Sequence, residues 1–520
     1  MLGTTSLKTI AQKLFTSTAV FQNKNTLLRT SFLLLLGLAL NQSTSAQWNQ
    51  IGSDIDGEFS NNFFGNSVSM PSANILAVGI TGSSGPASNP TGLFTGGLKV
   101  YEWLGNNWVQ KGVSLYGVEG SNFFGSSVSM PNVNTVSVGA PGFNGNGFDV
   151  GMVQIYQWNG NSWIQEGDDI LGEENGENFG SSVSMPNTNT LAIGAPDNDG
   201  NGFNSGRVAV YQWTGITWVQ KGNDIEGEAT GDRSGFSVSM PDANTVAIGA
   251  PNNNGNGNTS GHVRIYQWTG TTWVQKGSDI DGEAAGDGSG RSISMPDANT
   301  VVIGAPFNDG NGINSGHVRI YQWSGTTWLQ RGSDIDSEAT GDQSGTSVSM
   351  PDANTVAIGE SQNGDNGFRS GQVRVFEWSS TNDWVQKGLD MNGEANVDEF
   401  GTSISMPDPN TVAIGAAGND GNGSDAGHVR VFNYGSVSIG PEIRLSREFK
   451  LYPNPTKRNF TLEINPVGEE QELFIYNLQG KLVHQQSLLR AKEQINTEKW
   501  KAGVYFVRYG EQMEKLVILE

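Results

Sequence analysis

The sequence predicts an all-β chain, a seven-bladed β-propeller with N-terminal strand closure followed by a small C-terminal β-sandwich, on three observations. The tripeptide Ser-Met-Pro recurs with its methionine at Met70, Met130, Met185, Met240, Met295, Met350 and Met406, so the steps are 60, 55, 55, 55, 55 and 56 residues. Each interval carries short runs rich in Val, Ile, Tyr and Trp, bounded by the Gly, Asn, Asp and Pro that supply turn geometry. The last unit lacks one segment, and the start of the chain has one to spare. A fixed period outranks any local reading of secondary structure. An open β-solenoid is the alternative architecture, but its coils are usually shorter and need no strand shared between the ends.

Taken from the N-terminus, Lys24 and Arg29 precede the apolar run Ser31 to Leu40, and Thr44, Ser45 and Ala46 follow. This is the layout of a cleaved secretory signal over residues 1–46, with Ala46 the last residue removed. The run is too short to span a bilayer, which takes about 20 residues, so the mature chain is expected to have no transmembrane segment. The stretch before Lys24 is long for such a signal, which leaves the true start open. Cysteine is absent, which excludes disulfides, thiolate metal sites and Cys nucleophiles. With 52 acidic against 30 basic residues the net charge is −22, which repels a phosphate backbone and argues against nucleic acid as a partner.

Within a typical unit the order is Trp273–Gly277, the acidic stretch Ser278–Gly290, Arg291–Met295, a Pro-Asp-Ala-Asn-Thr turn, Val301–Pro306, an Asn/Gly-rich loop, His317–Trp323 and a Ser-Gly-Thr-Thr turn. That makes four strands and four connections, the content of a propeller blade. The seventh unit stops after His428–Tyr434, whereas Trp48–Gly52 has no unit before it. Pairing Trp48–Gly52 with Val429–Phe432 closes the circle and removes the exposed sheet edges.

The phrases Phe179–Pro186, Thr190–Pro196 and Ser205–Tyr211 resemble the FG-GAP repeat of integrin α-chain propellers and of many bacterial surface proteins. The resemblance covers residues 47–440 and speaks to fold more than to ligand. In this blade order the long loops, from strand 4 to strand 1 and from strand 2 to strand 3, emerge on one face, the candidate binding face. They carry much of the acidic charge, as Asp279, Asp281, Glu283 and Asp287 show.

Asp197, Asp199, Asn201 and Ser205 place oxygen ligands at alternate positions, the spacing a hard cation such as calcium prefers; Asp309 and Asn311 are the counterparts two units on. The pattern resembles the integrin calcium loop, but integrin-type blades carry it between strands 1 and 2. A second reading competes: Asn, Asp and Gly tolerate left-handed backbone, so the same residues serve as a turn-rich connection. Calcium is thus the one cofactor the sequence brings forward.

Signals for catalysis are poorer. His262, His317 and His428 fall at the same place in their units, which reads as framework, and paired carboxylates are too common here to mark a glycosidase. Paired tryptophans such as Trp268 with Trp273 read as blade packing, with exposed sugar-stacking rings as the other reading. The loop Ile80–Gly97 of the first unit is longer and has no acidic residue.

After Gly440 the composition changes: glycine becomes scarce and Lys, Arg and Glu frequent. A linker is expected over 441–448 and a separate domain over 449–520, where Leu473, Ile475 and Tyr476, then Val504, Phe506 and Val507, indicate a β-sandwich. Tyr452, Pro453, Asn454 and Pro455, the turn with Gly480 and Lys481, the strand opened by Gly503 and the terminal segment from Lys515 resemble the type A C-terminal sorting domain of the type IX secretion system of Bacteroidetes. The resemblance implies passage through the periplasm and across the outer membrane by the secretion machinery, then removal of this domain with release or surface attachment. The expected function is a monomeric, non-enzymatic, secreted or cell-surface propeller that binds an extracellular protein or glycan. The alternative is a polysaccharide hydrolase or lyase on the same scaffold.

Overall fold

In the second strand of each unit, Thr-Leu-Ala-Ile-Gly-Ala over Thr190–Ala195 for example, every residue is buried, because neighbouring sheets cover both faces. The computed structural model describes residues 46–82, 94–118, 122–145, 147–436, 448–465, 471–477, 481–488, 492–509 and 512–519. The signal residues before Ala46, most of the Ile80–Gly97 loop, nearly all of the expected linker and Gly480 lie outside them.

Blades 1 to 7 are centred on Ile75–Ile80, Thr135–Ala140, Thr190–Ala195, Thr245–Ala250, Thr300–Ala305, Thr355–Glu360 and Thr411–Ala416. In blade 3 the antiparallel order from the inside out is Ser182–Asn187, Thr190–Ala195, Arg207–Trp213 and Trp218–Gln220. The acidic stretch differs from the expected plain loop. Its Ile225–Glu226 forms a two-residue fifth strand against Val208 and Arg207, and the other blades repeat it. Alternation explains this: Ile225 is 5% exposed and goes into the core, while the acidic residue beside it turns outward.

The repeated Ser-Met-Pro has a physical reason. The Met240 amide donates to Ser184 Oγ of the preceding blade at 2.9 Å, and the Met70 amide donates to Ser405 Oγ at the same distance, so the inner ring of hydrogen bonds closes on itself. Glycine in the second strand permits this approach. A Cβ on Gly194 would lie 2.0 Å from the Gly235 carbonyl oxygen, backbone that cannot swing away. Gly194→Ala is therefore expected to lower the thermal midpoint by about 5 °C or more, measured by circular dichroism.

Closure follows the expected topology with a shifted register. Ala46–Gln50 is the outer strand of blade 7, with Trp48 opposite Tyr434 and Gln50 opposite Phe432, rather than against Val429–Phe432 as expected. Beyond Gln50, Ile51 N donates to Val431 O at 2.8 Å, and Ile55 pairs with Val429. The aromatic pair sets the register. In other blades the outer tryptophan faces one on the third strand, Trp273 on Trp268 at 5.3 Å, and Trp48 meets Tyr434 at 5.2 Å. These pairs are blade packing: Trp273 Nε1 donates to Lys221 O of the previous blade at 2.8 Å, and the Lys221 ammonium sits 5.3 Å from the same ring.

The chain divides into two compact units between residues 437 and 438. In the second unit Glu448–Tyr452, Asn459–Asn465 and Lys492–Asn496 form one sheet, and Gln471–Asn477, Leu482–Leu488, Gly503–Tyr509 and Gln512–Ile518 form another. Phe460, Leu462, Leu473, Ile475, Val507 and Leu516 make its core. No helix among the described residues is long and apolar enough to cross a membrane.

Candidate functional site on the long-loop face

The long loops meet across blade boundaries. Gly231 N, in the loop entering blade 4, donates to Phe203 O, in the strand 2 to strand 3 loop of blade 3, at 2.9 Å. The sharp turn of that second loop comes from its Asx residues: Asp199 Oδ1 accepts from Asn204 N at 2.8 Å and Asn198 Oδ1 from Gly200 N at 2.9 Å.

Asp197, Asp199, Asn201 and Ser205 do share one turn, and each has protein partners. Asp197 accepts from Arg233 and from Asn178 Nδ2, Asn201 Nδ2 donates to Gly227 O at 2.9 Å, and Ser205 Oγ accepts from Asn201 N at 3.2 Å. In blade 5 Asp309 Oδ1 accepts from Asn314 N at 2.8 Å and Asn311 Nδ2 donates to Ser337 O at 2.7 Å. These contacts shape the loop and tie it to the neighbouring blade.

Much of the acidic charge has internal work. Asp232, 1% exposed, accepts from Ala229 N and Asn253 Nδ2, each at 3.0 Å. Asp398 accepts from Glu394 N and Ala395 N, each at 2.8 Å. Buried carboxylates so surrounded by donors tie the loop down.

Between blades 2, 3 and 4 the loops leave a cavity of about 610 Å³. Phe148 and Phe203, each 69% exposed, stand on its wall with Asn178, Asp197, Asp199 and Arg233. Ile313 at 70% and Phe368 at 71% exposure occupy the same place in the loops of blades 5 and 6. Sequence reading passed over this crown, although its signal, a large apolar residue directly after the Asn-Gly turn, was there to be found.

The first residue of the third strand lies beside these loops. His262, His317 and His428 are each 1% exposed there. Burial, reinforced by Arg264 and Arg430, pushes His262 and His428 down to about 4, and His317 is lowered for the same reason, so the rings are neutral at pH 7. His262 Nδ1 lies 4.0 Å from Glu228 and 3.9 Å from Asp279; His317 Nδ1 lies 3.9 Å from Glu283 and 3.8 Å from Asp334. In blade 3 Arg207 takes the histidine's place and donates to Asp224 at 2.8 Å and Glu177 at 2.9 Å. The framework reading holds for position, but these neighbours come from two separate loops and were invisible in the sequence.

In the C-terminal unit the expected sorting residues come together around the last strand. Asn454 Nδ2 donates to Lys515 O at 2.6 Å, and Val517 N donates back to Asn454 Oδ1 at 2.9 Å. Tyr452 Oη donates to Glu463 at 2.7 Å. Pro453, Pro455, Gly503 and Lys515 are exposed, and Lys481 N donates to Asn477 Oδ1 at 2.9 Å. Ala46, the expected last residue of the signal, opens the closing strand opposite Ser436.

Residues 450–518 match the model of the secretion system C-terminal sorting domain, and residues 172–211 and 389–432 match the FG-GAP repeat. No curated protein matches the chain. Among solved structures it is similar to a fungal alcohol oxidase of the AA5 family in complex with copper, at 10% identity and TM-score 0.43, over 91% of this chain and 99% of that one. The β-propeller domain of the Trilobed protease of Pyrococcus furiosus follows at 9% identity and TM-score 0.36, over 71% and 91%. PorZ, a bacterial surface component of the type IX secretion system of Porphyromonas gingivalis, matches at 12% identity and TM-score 0.23, over 91% and 75%. The chain thus carries FG-GAP repeats at 172–211 and 389–432 and a type IX sorting tail at 450–518, and that tail marks it for export to the cell surface or the medium.

Proposed function

We propose that this exported propeller is a non-enzymatic binding protein whose long-loop face takes an extracellular glycan. The observation that carries this reading is the cavity between blades 2, 3 and 4, where two solvent-facing phenyl rings stand beside amide, carboxylate and guanidinium groups. A sugar ring has an apolar face to lay on an aromatic ring and a rim of hydroxyls for Asn, Asp and Arg, so both kinds of group find a partner.

A panel of polysaccharides and matrix proteins tests it, scored for binding and for released reducing ends. Phe148→Ala with Phe203→Ala is expected to keep the fold, since both rings are exposed, and to weaken glycan binding about tenfold, at about 0.5–1.5 kcal/mol per ring. Retention confined to matrix proteins points to a protein ligand instead. Release of reducing ends makes the chain a polysaccharide-cleaving enzyme and ends the proposal.

A further inference from the structure

We infer that the histidine-bearing blades 4, 5 and 7 each hold a divalent transition-metal cation of the zinc class, between the third-strand imidazole and two carboxylates of the acidic stretches. The groups are Glu228, His262 and Asp279; Glu283, His317 and Asp334; and Asp54, Asp56 and His428, with one ligand atom of each residue lying within 4.8 Å of the others. None of these residues lines the phenyl-walled cavity.

The oxygens of these carboxylates divide the same way in blades 4 and 5. Glu228 turns Oε1 to Arg264 Nη1 at 3.4 Å and Oε2 to the His262 ring; Asp279 accepts from Gln275 through Oδ1 at 2.6 Å and turns Oδ2 to the same ring. Glu283 and Asp334 repeat this with Arg319 at 3.3 Å and Gln330 at 2.5 Å. One oxygen of each carboxylate is thus held by the protein, and the other faces imidazole Nδ1.

The separations of 3.8–4.0 Å are too long for a hydrogen bond. They leave room for a shared cation that draws the groups in by about 0.5 Å, since two ligand atoms about 2.0–2.2 Å from a tetrahedral metal lie about 3.4 Å apart. Blade 3 is the internal control. There Asp224 again accepts from Gln220 through Oδ1 at 2.6 Å, but its Oδ2 is met by the Arg207 guanidinium at 2.8 Å. Where the chain supplies its own cation the oxygen is satisfied; where it supplies imidazole a cation is still wanted.

A second observation points the same way. All three rings are buried with Nε2 left without a hydrogen-bond partner, so the polar groups that the imidazoles of His262 and His317 face are the carboxylates at Nδ1. One imidazole nitrogen with carboxylate oxygens suits zinc, manganese, iron or nickel, whereas calcium takes oxygen throughout.

The test uses the full chain, stripped with chelator and melted with Zn²⁺, Co²⁺ or Ca²⁺, with the visible spectrum recorded in Co²⁺. The variant His262→Gln, His317→Gln, His428→Gln places in each blade the residue that blade 6 carries as Gln372. Zinc and cobalt are expected to raise the midpoint of the native chain by about 3 °C or more, with cobalt giving ligand-field bands, and the variant is expected to melt normally without metal and show neither effect. Should the variant fail to fold, Asp279→Asn with Asp334→Asn, at partly exposed positions, is expected to reduce the rise. No rise, a rise unchanged in whichever variant folds, or a rise with calcium alone overturns the inference.

Discussion

Removing Trp48–Gly52 is expected to lower the unfolding free energy of the whole ring by about 4 kcal/mol or more, read as a fall in its urea midpoint, rather than to fray one blade. Trp48 is the anchor. Its Nε1 donates to Lys387 O of blade 6 at 2.7 Å and its ring packs on Tyr434, while Ile51 packs against the core shared by blades 7 and 1. Without this strand the third strand of blade 7 becomes an open edge next to the point where the first and last blades meet. Trp48→Ala is expected to carry most of the loss. An unchanged midpoint in urea for the deletion contradicts closure by the N-terminal strand.

Glu360→Ala is expected to act in the opposite direction and to stabilise the chain above neutral pH. Glu360 is fully buried at a place where the other blades carry Ala140, Ala195, Ala250, Ala305 and Ala416, and Ile80 in blade 1. Burial outweighs the attraction of Arg374 and pushes its carboxyl up to about 7. The unfolded carboxyl ionises near 4.5, so between about pH 4.5 and 7 the folded chain holds a proton that the unfolded chain has lost. Stability from this group is fully present below pH 4.5 and is lost as pH rises through 7, a fall of about 3 kcal/mol. Alanine removes the fall. Arg374 keeps the Asp336 carbonyl at 2.8 Å and Glu338 at 3.8 Å, an environment like that of Arg264 and Arg319 in their blades. Urea midpoints at pH 5 and pH 8 check this: the gain is expected at pH 8 and should shrink at pH 5. A loss of stability at pH 8 shows that the ion pair prevails over burial.

The ring was legible in the sequence because its parts are geometrically demanding. Ser184 must accept the next blade's amide and Gly194 must let the next backbone pass, so serine and glycine return at the same step. The sorting tail was legible for a similar reason, since Asn454 pairs with backbone at the far end of its unit. What escaped depends on register and on loops meeting in space. Trp48 opposite Tyr434 follows from ring packing, which periodicity does not encode. His262 looked like scaffold because its partners Glu228 and Asp279 sit on different loops, joined only when adjacent blades pack. Part of the acidic stretch proved structural, since Asp232 and Asp398 are buried caps rather than rim charges.

The partnership of Ala46 with Ser436 has a bearing on how the molecule is presented. The final strand of the ring starts at His428, among the long loops, and runs to Ser436 at the short-turn end, so the polypeptide enters and leaves at that end. Severing the chain anywhere past Ser436 takes no strand from any blade, and a tether attached there holds the ring by its back. The crown of Phe148, Phe203, Ile313 and Phe368, on the opposite face of the ring, is left clear of that attachment point.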